Sequence, residues 1–490
     1  MINLLYLTVE IKVMKYYAIL LLIFCSTCLV WAQPHEYDER LGQEAALQVE
    51  RTLGLYEDEA LNRYVDEVGQ RLIAALNHTY FDYEFAIIDD PTPNAFALPG
   101  GYIYVTRGLL ALVQSVDELA CVLSHEVIHV DERHSVKQMK RSILPALLQV
   151  PGLLVGAVAG EKAGSIVSAP FDLGSSFFTS TYSRKHETQA DQMGVALAAK
   201  AGFDPNALSP MLDRIMKWEE TRTEQEEKKN YFSTHPYTPD RIKKLKPAIS
   251  ELTWSLNSLH EEPVLPLLDG LVFGENPAKG VFVDSVFLHA DIDFSVVFPS
   301  DWIYINQHDA VGAMNSDKTA LVYLTLEDTT QSPEQWGIDF VKRVKRTGEL
   351  KASAEKVEVN AREAFLVSVV QHGEGEDIYA HFIWIEMGDH VYRITAIKAG
   401  GFKEQLKRTA LSLHPLTESE KQMIEVEQLY LTNVEEDGSW EALAERTEST
   451  LEPKYLRVLN GSRSHSAPPS GERVKVVKSY PYVPEDSSDQ

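Results

Sequence analysis

The sequence predicts an α+β protein in three parts: a mainly helical domain with a small sheet, then an α/β sandwich, then a small C-terminal module. Three observations carry this. Length comes first: 490 residues exceed one ordinary domain and suggest about three. Periodicity comes second. Apolar residues recur mostly at helical spacing before Pro263 and mostly alternate at strand spacing after it. Punctuation comes third: Pro263, Pro266 and Pro277 stand between the two regimes and read as a linker.

Composition narrows the function classes. The apolar fraction of 44% is that of globular protein. Formal net charge is -26, with no long basic patch. Nucleic acid is therefore excluded as a partner, because phosphate contacts need clustered Lys and Arg; the acidity serves solubility. At the N-terminus Lys15 precedes an apolar run from Ala18 to Leu29, closed by Val30-Trp31-Ala32. That is the order of a secretory signal peptide, assigned to residues 1–32, and the run is short for a membrane span. Met14 is an alternative start, and retention of the segment as an anchor is the rival reading. Without Cys25 and Cys28 only Cys121 remains, so no internal disulfide is expected. Cys121 reads as a small core residue.

Along residues 33–262 the elements follow in order. Residues 36–76 read as helical, with Leu61, Tyr64, Val65, Val68, Leu72 and Leu76 in one stripe. Tyr83–Ile88 and Tyr102–Thr106 read as strands. Between them Asn94–Gly101 is extended and closed by a Pro-Gly-Gly turn. A helix starts after Ser115, with Ser115 and Glu118 as a capping box. Ser142–Pro170 is apolar, Gly-rich and interrupted by Pro145 and Pro151. Its uninterrupted stretches fall short of the ~20 residues of a span, so it reads as helices or a lid. Residues 183–201 form another helix, and Trp218–Lys229 a solvated one.

Residues 263–285 read as the linker. Residues 286–415 carry strands at Phe294–Phe298, Ala320–Leu326, Ala364–Val370, Tyr379–Glu386 and His390–Ile397, with helices at Glu334–Lys345 and Phe402–Leu413. Residues 416–480 hold two short helices, Trp440–Arg446 and Tyr455–Leu459, then a strand at Arg473–Val477. Residues 481–490 read as a disordered tail.

The chemistry lies in His125-Glu126-Val127-Ile128-His129. On a helix, positions i and i+4 share a face, so both imidazoles reach one metal ion. The intervening glutamate reaches a metal-bound water, which is the zincin signature. A catalytic zinc site needs three protein ligands and one open position. The subclass with a third His six residues on is excluded, since Ser135 stands there and Glu132 replaces its glycine. The other solution is a glutamate on a later helix. Glu187 and Asp191, at i and i+4 in the helix after Ser183, fit it. Glu187 binds zinc, and Asp191 accepts from a ligand histidine. Ala190, Gly194 and Ala198 let the two helices approach closely.

Zinc lowers the pKa of bound water toward ~7 and polarises a carbonyl. Glu126 takes the water proton and passes it to the leaving amine. Thr234-His235-Pro236 with Arg241 is the candidate source of an oxyanion donor. His235 has two readings: it donates to the oxyanion, or it occupies the open zinc position and holds the enzyme latent. Asn94, Ala95, Phe96 and Ala97, or the strand near Tyr102 to Val105, offer an edge for an extended peptide.

Together these motifs, with Asn94–Gly101, Ser183-Arg184, Ala190-Asp191 and Arg241-Ile242, resemble the HtpX-like and CAAX-prenyl-protease-like zinc metallopeptidases, in their soluble periplasmic branch. The resemblance implies one zinc held by His125, His129 and Glu187, with Glu126 as base, Asp191 behind the ligands and His235 beside the metal. It also implies a periplasmic endopeptidase of misfolded or stalled envelope proteins, in reach of the outer-membrane assembly machinery. The helical-repeat domain of that branch is absent here. Residues 286–415 instead resemble a PsbP-like sandwich through Phe298-Pro299-Ser300-Asp301-Trp302. Residues 416–480 resemble a degenerate LysM module, which implies peptidoglycan as a partner; a structural cap is the competing reading.

Overall fold

The N-terminal helical stretch divides in two. Helix α1 covers residues 35–53 and α2 covers Glu59–Ala74. The break falls at Gly54, with φ 74°, and Asp58 then caps α2 by accepting from the Leu61 N–H at 2.9 Å. The expected stripe of Leu61, Val65, Val68 and Leu72 is buried. This computed structural model describes residues 35–137, 181–221, 231–236, 239–256, 263–317, 319–347, 350–371, 377–399, 403–435, 438–462, 468 and 470–484. The expected signal segment, the Ser142–Pro170 stretch, the end of the charged helix beyond Thr221 and the last six residues lie outside them. No helix among the described residues is long and apolar enough to cross a membrane.

Three short strands follow: β1 (Glu84–Ile88), β2 (Ala95–Ala97) and β3 (Tyr102–Thr106), in spatial order β1-β3-β2. The Pro-Gly-Gly turn between β2 and β3 needs its glycines. Gly100 and Gly101 have φ of 80° and 108°, which a side chain disfavours. Strand β2 is one edge of this sheet and β1 the other, among the described residues.

Helices α3 (Arg107–Leu112) and α4 (Val116–Asp131) come next. Ser115 caps α4 by accepting from the Glu118 N–H at 3.3 Å. The reciprocal half of the expected capping box is missing. Glu118 instead accepts from the Gln114 N–H and pairs with the Arg214 guanidinium at 2.6 and 2.9 Å. Helix α4 is buried on every side from Glu118 to Val130, not along one stripe. It runs between α2, strands β2 and β3, and two later helices, α5 (Arg184–Lys200) and α6 (Leu208–Thr221). Ser183 caps α5 at the His186 N–H, and α7 (Pro239–Ser250) lies against α5. Cys121 is a free, buried thiol, as expected of a core residue.

The stretch 263–285, expected to be a linker, is built into the fold. Val272–Phe273 form β4, Val281–Val283 form β5, and Lys279 pairs with buried Asp89 at 2.8 Å. Strands β5, β6 (Val286–His289) and β7 (Phe294–Val297) make a small antiparallel sheet. A seven-stranded antiparallel sheet follows, in order β11-β12-β13-β14-β10-β9-β8. Its strands are β8 (Ile303–Gln307), β9 (Ala310–Met314), β10 (Ala320–Glu327), β11 (Lys351–Val359), β12 (Arg362–Gln371), β13 (Ile378–Met387) and β14 (His390–Ala399). Helix α8 (Pro333–Thr347) covers one face with Phe340 and Val344; α9 (Lys403–Ser412) covers the other with Leu406 and Ala410.

The chain then returns to the first domain. Strand β15 (Glu425–Asn433), α10 (Trp440–Thr447), α11 (Pro453–Leu459) and β16 (Arg473–Pro481) form a β-α-α-β unit, with sheet order β16-β15-β4. It is not a separate module. Trp440, Leu443, Leu456, Leu459 and Val476 share one continuous core with α2, α4 and α6. The buried Lys475 Nζ donates to the carbonyls of Ala111, in the last turn of α3, and Val113, its C-cap. Gln114 donates to the Leu459 carbonyl at 2.7 Å. The seven-stranded sandwich is thus inserted between β4 and β15.

Candidate metal centre

Helix α4 sets His125 and His129 on one face, and α5 brings Glu187 to them. The approach is as close as the small residues led one to expect. A Cβ on Gly194 would lie 3.2 Å from the His125 backbone nitrogen and Cα. His125, His129, Glu187 and His235 are all buried, and one ligand atom of each lies within 4.8 Å of the others, a set that can hold a metal ion. The Nε2 atoms of His125 and His129 are 3.0 Å apart. Glu187 Oε1 is 3.4 Å from His129 Nε2 and 3.2 Å from His235 Nδ1. His235 Nδ1 is 3.3 Å from His125 Nε2.

Two more expected residues close the cluster from behind. Asp191 Oδ1 is 3.1 Å from His125 Nδ1, the nitrogen turned away from Glu187. Arg241, on α7, donates to both Asp191 oxygens at 2.8 and 2.7 Å, lies 2.7 Å from Glu187 Oε2, and donates to the His235 carbonyl at 3.2 Å. Arg241 therefore points at the acids and not into the space before Glu126. Its expected role as an oxyanion donor gives way to a positioning one, because its donors are committed to carboxylates and a carbonyl.

Glu126 is fully buried and neither of its oxygens has a hydrogen-bond partner among the described residues. His235 lies beside it, with Nε2 3.6 Å from Oε1. Burial pushes the Glu126 carboxyl above the usual range, against the pull of His235 and His125. That suits a proton acceptor at neutral pH. Burial also holds His129 neutral, well below the usual imidazole value. In Glu187 burial acts upward but is outweighed by His235, His129 and His125, so its carboxyl stays ionised. Asp191 is likewise held ionised, burial being overcome by Arg241 and His125.

The donors fit zinc. Two imidazoles and a carboxylate are a usual catalytic set for it, and a buried carboxylate with no hydrogen-bond partner among the described residues stands beside them. Strand β2 flanks the cluster through Ser135, whose hydroxyl donates to the Ala97 carbonyl at 3.0 Å. Asn94 braces the edge: its side chain accepts from the Ala95 N–H at 2.9 Å. Phe96 instead turns toward α1 and stacks on Tyr104.

Sequence reasoning missed three rings. Tyr182 stacks on His129 at 3.8 Å and bonds Ser135. Tyr231 stacks on His235 at 4.6 Å. His134 places Nδ1 3.1 Å from His129 Nδ1. The clue for Tyr182 was its place directly before Ser183; the others had no local signal.

Residues 59–249 match Peptidase family M48. The segment is similar to the "Putative beta-barrel assembly-enhancing protease" of Vibrio cholerae, 36% identical over 38% of this chain and 38% of that one. It is similar to "Mitochondrial metalloendopeptidase OMA1" of Schizosaccharomyces pombe, 31% identical over 44% of this chain and 62% of the relative. The "Beta-barrel assembly-enhancing protease" of Escherichia coli is 25% identical over 41% and 42%. The chain thus spans between about two fifths and three fifths of the length of these relatives.

Proposed function

Starting from residues 59–249 as a family M48 metallopeptidase segment, we propose that this chain is an exported zinc metalloendopeptidase acting in the quality control of cell-envelope proteins. The observation that carries the enzymatic part is the buried Glu126, unpartnered among the described residues, beside three candidate ligands on two helices. His125, His129 and Glu187 would hold the zinc, which would supply a Lewis acid and acidify a water. Glu126 is the group that would take a proton from the attacking water and return it to the leaving amine. Asp191 orients His125, and Arg241 holds Asp191 and Glu187 in register.

The substrate binds extended along β2. Asn94 and Leu98 pair with β3 through the Thr106 N–H and the Tyr102 carbonyl. Antiparallel alternation therefore turns the Ala95 carbonyl and the Ala97 N–H away from β3, toward an incoming strand. Main-chain pairing of this kind accepts many sequences, which suits misfolded or misassembled envelope proteins. The names of the bacterial relatives support an outer-membrane assembly context. The N-terminal charged and apolar segment supports export to the periplasm.

A second reading is a chaperone or assembly factor on a peptidase fold, with proteolysis latent. His235 favours it, since its Nδ1 lies as near the ligand atoms as they lie to one another. Glu126→Gln separates the two: it keeps zinc and abolishes casein cleavage. A cellular phenotype that survived this change would give the chaperone reading the case. His235→Ala raises basal cleavage if His235 holds the site closed, and lowers it if it serves the oxyanion. For residues 416–480 we favour the structural cap over peptidoglycan contact, because Trp440 and Leu443 are spent in the shared core. Retention of the purified protein on cell-wall sacculi would reverse that choice.

A further inference from the structure

We propose that His134 is a positioning residue for the metal: it fixes the tautomer and ring plane of His129 through a two-imidazole relay anchored on Gln189. This rests on the reading of His129 as a zinc ligand. His129 turns Nε2 toward His125 and Glu187, at 3.0 and 3.4 Å. Its Nδ1 faces the other way, 3.1 Å from His134 Nδ1. A neutral ring that gives its Nε2 lone pair to a cation carries its proton on Nδ1. His129 Nδ1–H therefore donates, and His134 Nδ1 accepts. A neutral His134 accepting at Nδ1 carries its own proton on Nε2, which lies 3.3 Å from Gln189 Oε1. Gln189 is set to receive it, because its Nε2 donates to Met193 Sδ at 3.6 Å and turns the carbonyl toward His134. One proton direction is consistent along the whole relay.

The backbone is shaped to place this ring. Helix α4 ends at Asp131, and Arg133 takes φ 55°, a left-handed conformation uncommon outside glycine. In an unbroken helix, position i+5 would sit about 140° round from position i. The reversal at Arg133 instead brings His134 back beneath His129. Arg133 is held there by its bidentate pair with Asp38, at 2.6 and 2.9 Å. His134 is fully buried and stacks on His186 with centroids 4.2 Å apart and planes 11° from parallel. The two ligand histidines thus differ. His125 is backed by the carboxylate of Asp191, His129 by a neutral imidazole.

The test is zinc affinity of the full chain by chelator competition, in a Glu126→Gln background that prevents self-cleavage. His134→Phe keeps a stacked ring and removes the acceptor; zinc binding should weaken about 10- to 100-fold. His134→Asn places a carbonyl near the position of Nδ1 and should recover binding to within a few-fold. Gln189→Leu should weaken binding in the same direction as His134→Phe, by less. The visible spectrum of the cobalt-loaded protein should change in His134→Phe and return in His134→Asn. Thermal unfolding of the metal-free proteins should be nearly equal. The proposal is overturned if His134→Phe binds zinc like the parent. It also falls if His134→Asn is as weak as His134→Phe, or if the metal-free His134→Phe loses stability in proportion to its loss of zinc. A parent protein that binds no zinc, or a His129→Ala variant that binds it undiminished, would instead bring down the metal-centre reading itself.

Discussion

Arg241 carries the sharpest stability prediction. Its guanidinium makes two bonds to Asp191 and lies 2.7 Å from Glu187, and all three side chains are at most 3% exposed. Replacement by leucine leaves two buried carboxylates without their cation. Breaking one buried pair costs ~3–5 kcal/mol, and the partly positive field of the site histidines offsets some of the second. We therefore expect a loss of about 3–5 kcal/mol in the metal-free protein, local to α4 and α5. At ~1.4 kcal/mol per decade, this is about two to four decades of faster amide exchange in those helices. Hydrogen exchange read helix by helix is the right assay, because the inserted sandwich would blur a single global unfolding curve. Zinc should restore part of the loss, since its two charges serve Glu187 directly. Arg241→Lys should fall between the two, keeping the charge without the fork. The reasoning fails if Arg241→Leu exchanges within tenfold of wild type, or if Arg241→Lys is no better than Arg241→Leu.

Three further outcomes follow from particular contacts. Gly194→Ala puts a Cβ 3.2 Å from the His125 backbone, so it should cost ~1–3 kcal/mol and weaken zinc binding; unchanged chelator titration and melting would show that the helices part freely. Asp89 is held below the usual carboxylate range, burial acting upward but being outweighed by Arg107 and Lys279. Its folded pKa is thus below its unfolded one, so its contribution is full above about pH 5 and is lost as pH falls toward the folded value. Asp89→Asn should be less stable than wild type at neutral pH and converge with it in acid; parallel stability–pH curves would refute this. Lys475 is held well below the usual lysine value, first by burial and then by Arg214. The unfolded chain therefore binds the extra proton, and stability should climb as pH rises toward 10.5, a climb that Lys475→Met removes in urea titrations.

What could be read from the sequence was what local spacing encodes. His125, Glu126 and His129 share one helix, and Glu187 and Asp191 share another, so period alone put each set on a face. The Pro-Gly-Gly turn and the Ser115 cap were legible for the same reason. Strand β11 was not legible, because most of its side chains are exposed and show no alternation. The place of residues 425–481 was hidden for a different reason. Their apolar residues face α6 and α4 across a sequence gap of more than two hundred and more than three hundred residues respectively, and no local pattern names its partner.

The charge of the site shows where local reading stops. Glu126, Glu187 and Asp191 are buried together, and Arg241 is the cation that contacts two of them. Among the described residues, three carboxylates against one guanidinium leave two negative charges unmatched if the imidazoles are neutral. A divalent cation supplies that number. Burial would otherwise force protons onto the cluster, and two trends show this pressure: Glu126 is driven toward its protonated form, and His235 is raised by Glu126 and Glu187 in spite of its burial. The sequence supplied the three acids as two separate motifs with different expected roles. Only their convergence makes the deficit visible, and the deficit favours a bound zinc over a proton-filled site by the same electrostatics that make Arg241 indispensable.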